Sequence, residues 1–417
     1  MAIRGLDEAG FKRLMKEHLT PARAISTPEH LKGRTQNLRQ IDRAFNSPGK
    51  HIFIYGDRGV GKTSLAQTAA YLHQSVDGEP ILVACDTTSF FQTIRDAVRR
   101  ALPTSTRINQ KTTESRIKAV VGKFGYEWGT TIVNGDVPPI ETINEAVLLL
   151  KLLGEIHSSE PIIIFDEFDQ LKDDTQRKCC ADIIKQVSDQ GINVRFIICG
   201  IGTSLENLIG VHLSTGRYLS PIQLERLSHD ARWEIINSAS NALGVKVNHG
   251  HLVRIGQISD GFPSYIHLIG EQIFWSMFDD DEIVENCSQS HFENGVSQAV
   301  SEAETTLKII YENAVQKYSD DYEEVLWAVA DHQLLRRRQR DIYDKSYLRI
   351  MEDRHPRKAL TRHTFSMRLN ALKSDSHGSI LVGTRAGWYE FRENIVRGYV
   401  RLRAQKEGIQ LGIEGYA

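Results

Sequence analysis

Short apolar runs alternate with helical stretches over the first half of the chain. His51–Tyr55 is apolar and ends at Gly56. Ile81–Cys85, Ile162–Phe165 and Val194–Cys199 repeat the pattern, and Ile222–Leu224 is a weaker fifth run. Each has the length and β-branched content of a buried strand. Between them Thr63–His73, Asn144–Leu153 and Asp173–Val187 carry helical spacing. Strands alternating with helices predict a parallel α/β sheet. Residues 6–18 read as an amphipathic helix, and 21–34 as turn-rich. Residues 103–139 are polar and Thr-rich, an insertion with a hairpin near Tyr126–Val133.

Strand signals stop after Leu227. Ser228–Ala242, with Ser228 as N-cap, Gly250–Ile258, Pro263–Met277 and Asn294–Lys317 all read as helices. From Asp320 the pattern changes again. Tyr322–Asp331, Asp341–Met351 and Thr361–Lys373 are three helices. Ile380–Val382, a turn over Gly383–Gly387, and Trp388–Phe391 form a hairpin, and Glu393–Gln405 is a last helix. No internal repeat or low-complexity tract interrupts this order.

A chain of 417 residues is long enough for two or three domains. Its 41% hydrophobic and 25% charged residues fit a soluble globular protein. No run of eighteen apolar residues spans a membrane, and Met1–Lys16 lacks an apolar signal core. The expected place is therefore the cytoplasm, with no membrane partner. Cys85, Cys179, Cys180, Cys199 and Cys287 lack metal-site spacing and read as buried free thiols. Net charge is −2, but Ala330–Ala417 holds 18 Lys and Arg against 10 Asp and Glu, a local +8. A basic end on an acidic body points to a polyanionic partner.

Gly56-Asp57-Arg58-Gly59-Val60-Gly61-Lys62-Thr63 matches the phosphate-binding loop G-x-x-x-x-G-K-[ST] in full, between a strand and a helix. Glycines let backbone N–H groups curl around phosphate oxygens, and the helix start turns its positive end toward them. Lys62 is expected to reach the β- and γ-phosphates of ATP, Thr63 to ligate Mg2+, and Ser64 to follow on the same turn. Ile162–Phe165 leads into Asp166-Glu167, the pattern of a Walker B strand. There Asp166 would hold Mg2+ and Glu167 would act as general base on water. Asp169 reads as a solvated or capping carboxylate.

In this order the motifs resemble the AAA+ superfamily, in particular origin-recognition-type initiators and AAA+ regulators of transposition, over about residues 28–300. The resemblance implies an α/β fold with a P-loop AAA+ parallel-sheet core, an all-α lid domain and a C-terminal winged-helix domain. The implied boundaries are 1–27 (N-terminal helix), 28–226 (ATPase core), 227–318 (lid) and 319–417 (winged helix). Leu31-Lys32-Gly33-Arg34 looks like the segment that lies against adenine in those families, with Thr35 where an acid is usual; an ordinary turn reads the same residues. Thr203, with Ser204 next to it, aligns with the polar sensor that orients water, or caps the following helix. Arg217 stands where an arginine finger would reach a neighbouring subunit's ATP, or forms a surface ion pair. Asp260–His267 resembles the start of the lid helix without its arginine, leaving His267 as a substitute or as an internal histidine.

The three C-terminal helices and hairpin resemble a winged helix, whose third helix commonly enters a DNA major groove. Arg362, His363, Ser366 and Arg368 would face DNA from that helix, with Arg385 on the wing, Arg357 and Lys358 on the flank, and Asn370 toward a base edge. Arg336–Arg340 is a further anion contact. The first expectation is an ATP-hydrolysing protein, bound to ATP or ADP with Mg2+, whose nucleotide state controls a homo-oligomer on double-stranded DNA. The second is an ATP-driven protein–protein switch, as in signalling or anti-phage defence, whose winged helix docks a protein partner.

Overall fold

The computed structural model describes residues 3–73, 80–86, 89–101, 137, 139–156, 160–202, 205–206, 216–315, 321–385 and 387–413. They form two compact units, one of residues 24–56 and 61–225, the other of residues 1–23, 57–60 and 226–417.

The first unit is built on five parallel strands: β1 (His51–Tyr55), β2 (Ile81–Ala84), β3 (Ile162–Asp166), β4 (Arg195–Gly200) and β5 (Leu219–Gln223). Their spatial order is β2-β3-β4-β1-β5. β1, β3 and β4 are central and buried along almost their whole length, which is why they read as uninterrupted apolar runs. β5 pairs with β1 at the sheet edge, and it is only partly buried, with Pro221 exposed. It starts three residues before the expected run. Helices Lys62–His73, Phe90–Ala101, Ile143–Ile156 and Asp174–Asp189 belong to the same unit. Phe90–Ala101 is a helix beyond those that the sequence pattern predicts. Phe53, Phe165, Phe168 and Phe196 are buried in its core. His51 is buried too, accepts the Phe196 backbone N–H at 3.1 Å, and is held neutral because burial lowers its pKa to about 3. The expected hairpin at 126–133 lies outside the described residues.

The second unit is mainly helical. Helix Glu8–His18 packs Phe11 on Trp275 and Phe278, with ring centroids 4.8 and 4.3 Å apart. Ser228 does cap helix His229–Leu243, its Oγ accepting the Ala231 N–H. Pro263 opens helix Pro263–Phe278 at a position where its missing N–H costs nothing. The single helix expected over 294–317 is instead two, Gln289–Glu302 and Thr305–Val315, broken where Ala303 turns extended at ψ 154°. Beyond them lie Tyr322–Ala330, a helical stretch running from Gln339 to Asp353 with a π-turn at Ile342–Tyr347, Arg362–Ala371 and Asn394–Lys406. The hairpin of β7 (Leu381–Arg385) and β8 (Trp388–Phe391) gains a third, unexpected strand, β6 (Arg337–Arg338), which pairs with β8.

One carboxylate ties this unit together. Asp260 is buried in a tight turn at φ 50°, followed by Gly261 at φ 80°. Arg226 Nη1 lies 2.6 Å from it, Arg397 Nε 2.8 Å and Arg401 Nη1 3.2 Å. The same arginines donate to main-chain carbonyls, Arg401 to Ala330 and Gln257, Arg397 to Leu334. Thus the turn before helix Pro263–Phe278 is pinned to the last helix of the chain. All five cysteines are buried with free thiols. Among the described residues no helix is long and apolar enough to cross a membrane.

Candidate nucleotide site

β1 and β3 end on the same edge of the sheet, because both are parallel to β4 in close register. The carboxyl edge of a parallel sheet is where such folds place ligands. Gly56 and Gly61–Thr63 follow β1 in the first unit, and Asp166 and Glu167 end β3. Gly61 sits at φ 95°, a conformation that needs glycine. The helix that follows begins at Lys62 itself.

The sequence-predicted residues meet here. Thr63 Oγ1 donates to Asp166 Oδ2 at 2.6 Å, which brings the two expected Mg2+ ligands into direct contact. Lys62 Nζ donates to the Gly56 carbonyl at 3.0 Å, across the mouth of the loop. Asp166 Oδ1 accepts the Glu167 backbone N–H at 2.9 Å. Glu167 itself is exposed and left-handed at φ 53°, so the strand turns sharply after Asp166. Ser64 Oγ accepts the Ile25 N–H at 3.1 Å. Cys199 and Cys85 lie near Asp166; burial first, and then that carboxylate, raise both thiols, Cys85 to about 12. Neither is poised as a nucleophile.

A lysine, a hydroxyl paired to a carboxylate, and glycines at a helix start form a donor set suited to a polyphosphate and a hard, oxygen-loving cation. The middle of the expected motif, Asp57–Val60, packs within the other unit. Asn394 Nδ2 donates to Asp57 at 2.9 Å, and Arg58 lies 3.5 Å from Glu304 and 3.8 Å from Glu393. Val60 is buried. Gly59 sits at φ 81°, which favours glycine, and a Cβ there would come 2.5 Å from Ile395 Cδ1, so that side chain would have to shift. Nothing in the sequence between 390 and 400 marked these partners of the loop.

The remaining expectations fall as follows. Gly33 is exposed at φ 68°. Arg34 is buried, with Nη2 donating to the Glu225 carbonyl at 2.8 Å, and burial lowers its pKa to about 10. Its guanidinium thus anchors the segment before helix Thr35–Phe45 to the end of β5. Arg217 is exposed, with its guanidinium over the Tyr218 ring at 4.9 Å. It precedes β5, whose Leu219 pairs with His51 at the start of β1. At about 3.3 Å per strand residue that is roughly 15–20 Å from the loop at the end of β1. Thr203 and Ser204 lie outside the described residues. His267 is buried and accepts the Thr20 N–H at 3.3 Å, which makes it an internal histidine.

The basic C-terminal region is less basic at its surface than its composition. Arg337 is buried, donating to the Ala328 carbonyl and to Ser346, and Arg397 and Arg401 surround Asp260. Arg354 and Arg357 both pair with buried Glu324, and Arg368 pairs with Asp321 and covers Tyr322. Of the expected anion contacts, Arg336, Arg338, Arg340, Arg357, Lys358, Arg362, His363 and Arg385 are exposed, with Arg336 paired to Glu390. Ser366 and Arg368 are half-buried, and the Asn370 amide oxygen accepts from Tyr389 at 3.1 Å.

Residues 30–197 match the family model described as an AAA ATPase domain. Among solved structures the chain is similar to a Walker-type ATPase of Pyrococcus abyssi, at 16% identity, with 91% of this chain and 99% of that one covered and a TM-score of 0.53. It is also similar to Cdc6p from Pyrobaculum aerophilum, at 14% identity, with 97% and 99% covered and a TM-score of 0.45. The ORC2 protein of Aeropyrum pernix stands at 13%, with 98% and 100% covered and a TM-score of 0.47. No curated protein matches the sequence. The five-stranded parallel sheet has the P-loop AAA+ fold.

Proposed function

We propose that the chain binds ATP with Mg2+, hydrolyses it, and uses nucleotide state to control a homo-oligomer on double-stranded DNA. The observation that carries the nucleotide half is the Thr63–Asp166 hydrogen bond beside Lys62, at the carboxyl edge of the sheet. In this reading Thr63 and Asp166 hold the metal, which neutralises charge on the β- and γ-phosphates. Gly56 to Ser64 wrap the phosphates with main-chain donors, and Lys62 leaves the Gly56 carbonyl to reach them. Glu167 takes a proton from water. Arg217 is too far along the sheet to serve its own chain and acts in a neighbour, which makes assembly a condition of activity. Thr203 orients the water, and Gly33 and Arg34 shape the adenine side. Residues 28–226 are the ATPase core, 227–318 the lid and 319–417 a winged helix, with 1–27 as an N-terminal helix.

The DNA half rests on the exposed Arg338, Arg340, Arg362 and Arg385 beside helix Arg362–Ala371 and the β7–β8 hairpin. One observation favours the alternative, a protein–protein switch. Part of the +8 is internal, because Arg337, Arg397 and Arg401 are buried. Three measurements test the reading. Glu167→Gln should keep ATP affinity and lose hydrolysis by about a hundredfold or more, while Lys62→Ala should lose affinity by about ten- to a hundredfold. Wild-type hydrolysis in the first would refute the base assignment, and wild-type affinity in the second the loop assignment. Duplex binding by the full chain that weakens with salt and strengthens with a slowly hydrolysed ATP analogue supports assembly on DNA. Absence of binding in every nucleotide state favours the switch.

A further inference from the structure

Three exposed arginines of the C-terminal region line one cleft of about 550 Å3. It is lined by Arg338, Arg340 and Arg362 together with Tyr343, Phe365 and Trp388. β6 and β8 supply one wall, and the start of helix Arg362–Ala371 the other. Its volume lies within the range of about 300–1,000 Å3 usual for small-molecule sites.

The cations are arranged on rings. Arg338 lies over Trp388 at 5.0 Å and Arg385 over the same ring at 4.6 Å, while Arg362 lies over Tyr343 at 5.1 Å. A guanidinium laid on an aromatic face loses little further freedom on binding, and its N–H edge still points outward to fork onto a phosphate. Arg340 and Arg362 share a single carboxylate, Asp344. Both keep most of their surface in water, at 84% and 63% exposure. The cleft therefore combines a cationic rim with an aromatic interior.

Those two halves call for different chemistry. A duplex offers phosphates and groove edges but keeps its base faces stacked within the helix, so it would use the rim and leave the rings unmatched. A nucleotide outside a duplex offers both a phosphate and a flat face, which stacks on aromatic rings or guanidinium planes. An acidic peptide would satisfy the rim alone. We propose that this cleft binds one unpaired nucleotide, a nucleoside phosphate whose phosphate meets Arg338, Arg340 and Arg362 and whose base enters against Trp388 and Tyr343. This rests on the reading that the C-terminal region contacts nucleic acid. The nucleotide has two possible sources, a strand beyond the end of a duplex and the free monophosphate.

The test compares full-length protein binding to a blunt duplex and to the same duplex with a single-stranded overhang, at fixed salt. The overhang is expected to bind about ten-fold tighter, the worth of one stacked base. Trp388→Ala should abolish that advantage while leaving blunt-duplex binding within about two-fold, Trp388→Phe should keep most of it, and Arg338→Ala, which removes a rim cation, should weaken both probes. Thermal melting and ATP hydrolysis, expected at wild-type levels, show that the variants fold. Displacement of the overhang probe by a free deoxynucleoside monophosphate supports a site open to free nucleotide. Its failure to displace, with the overhang advantage intact, supports a strand source. Equal binding of blunt and overhang duplexes overturns the cleft assignment and leaves duplex binding standing; no binding of either overturns both. Displacement by inorganic phosphate or polyglutamate as effective as by the nucleotide overturns the nucleoside part.

Discussion

Replacing Asp260 tests whether the turn before helix Pro263–Phe278 is locked to the last helix by charge. The Asp260 side chain is 4% exposed, Arg397 is 0% and Arg401 is 2%, so Asp260→Ala strands two buried guanidiniums. Breaking a buried ion pair by removing one partner costs about 3–5 kcal/mol. For a unit of this size that lowers the melting temperature by about 6–20 °C. Asp260→Asn separates charge from shape. Asn tolerates the left-handed backbone at φ 50° and keeps an amide oxygen for Arg226 and Arg397. Its cost should be smaller, about 1.5–3 kcal/mol. The acid limb gives an independent sign. Burial pushes the Asp260 carboxyl up, but Arg401, Arg397 and Arg226 more than offset this and hold it below the usual range. A depressed folded pKa contributes stability that is complete above the unfolded value of about 3.9 and is lost as pH falls through the folded value. Wild type and Asp260→Asn should therefore differ at neutral pH, with the difference shrinking only below about pH 4 and vanishing once the pH is below the depressed folded pKa. Urea unfolding followed by tryptophan emission reads this unit through Trp327, which is buried in it. An Asp260→Ala protein melting within about 2 °C of wild type would show that the arginines do not depend on this carboxylate.

The legible parts of the fold are those where burial is continuous. β1, β3 and β4 are central, so their side chains are apolar on both faces, and the loop motif between β1 and Lys62 is fixed by steric and phosphate chemistry that leaves little choice of residue. β5 extends beyond its apolar run because an edge strand is buried at only some positions and tolerates Pro221. β6 was not readable at all: Arg337-Arg338 has no strand propensity, and the pair is a strand because β8 hydrogen-bonds to it. The break at Ala303 carries neither Pro nor Gly, and packing rather than local sequence sets it. Charge was the most misleading signal. A count of lysines and arginines gives a region's total and says nothing of direction. Arg337, Arg397 and Arg401 point inward to carbonyls and Asp260, while Arg338, a neighbour of the first, faces water. The motif for phosphate was likewise visible, but its tip's partners, Asn394, Glu393 and Ile395, are more than three hundred residues away in sequence and have no pattern of their own.

Two further outcomes follow from the site. Gly59→Ala adds a Cβ 2.5 Å from Ile395 Cδ1 at a backbone angle of φ 81°, so it should weaken ATP binding by about ten-fold, measured with a fluorescent nucleotide. Adding Ile395→Ala removes the clash but not the backbone strain, so recovery should be partial; full recovery would mean that the angle itself costs nothing. Arg217→Ala addresses the oligomer. Because β5 runs parallel to β1 and Arg217 precedes its first residue, the guanidinium stands at the opposite end of the sheet from its own loop. A role in hydrolysis then requires a second chain, and the defect should depend on what the second chain supplies. Mixing Arg217→Ala with Lys62→Ala pairs an intact loop in one subunit with an intact arginine in the other. Each protein alone should be slowed by about a hundredfold or more, and the mixture should regain activity in proportion to the mixed interfaces formed. A mixture as inactive as its components, under conditions where both chains associate, would assign Arg217 to the surface of its own subunit and remove the reason for making hydrolysis depend on assembly.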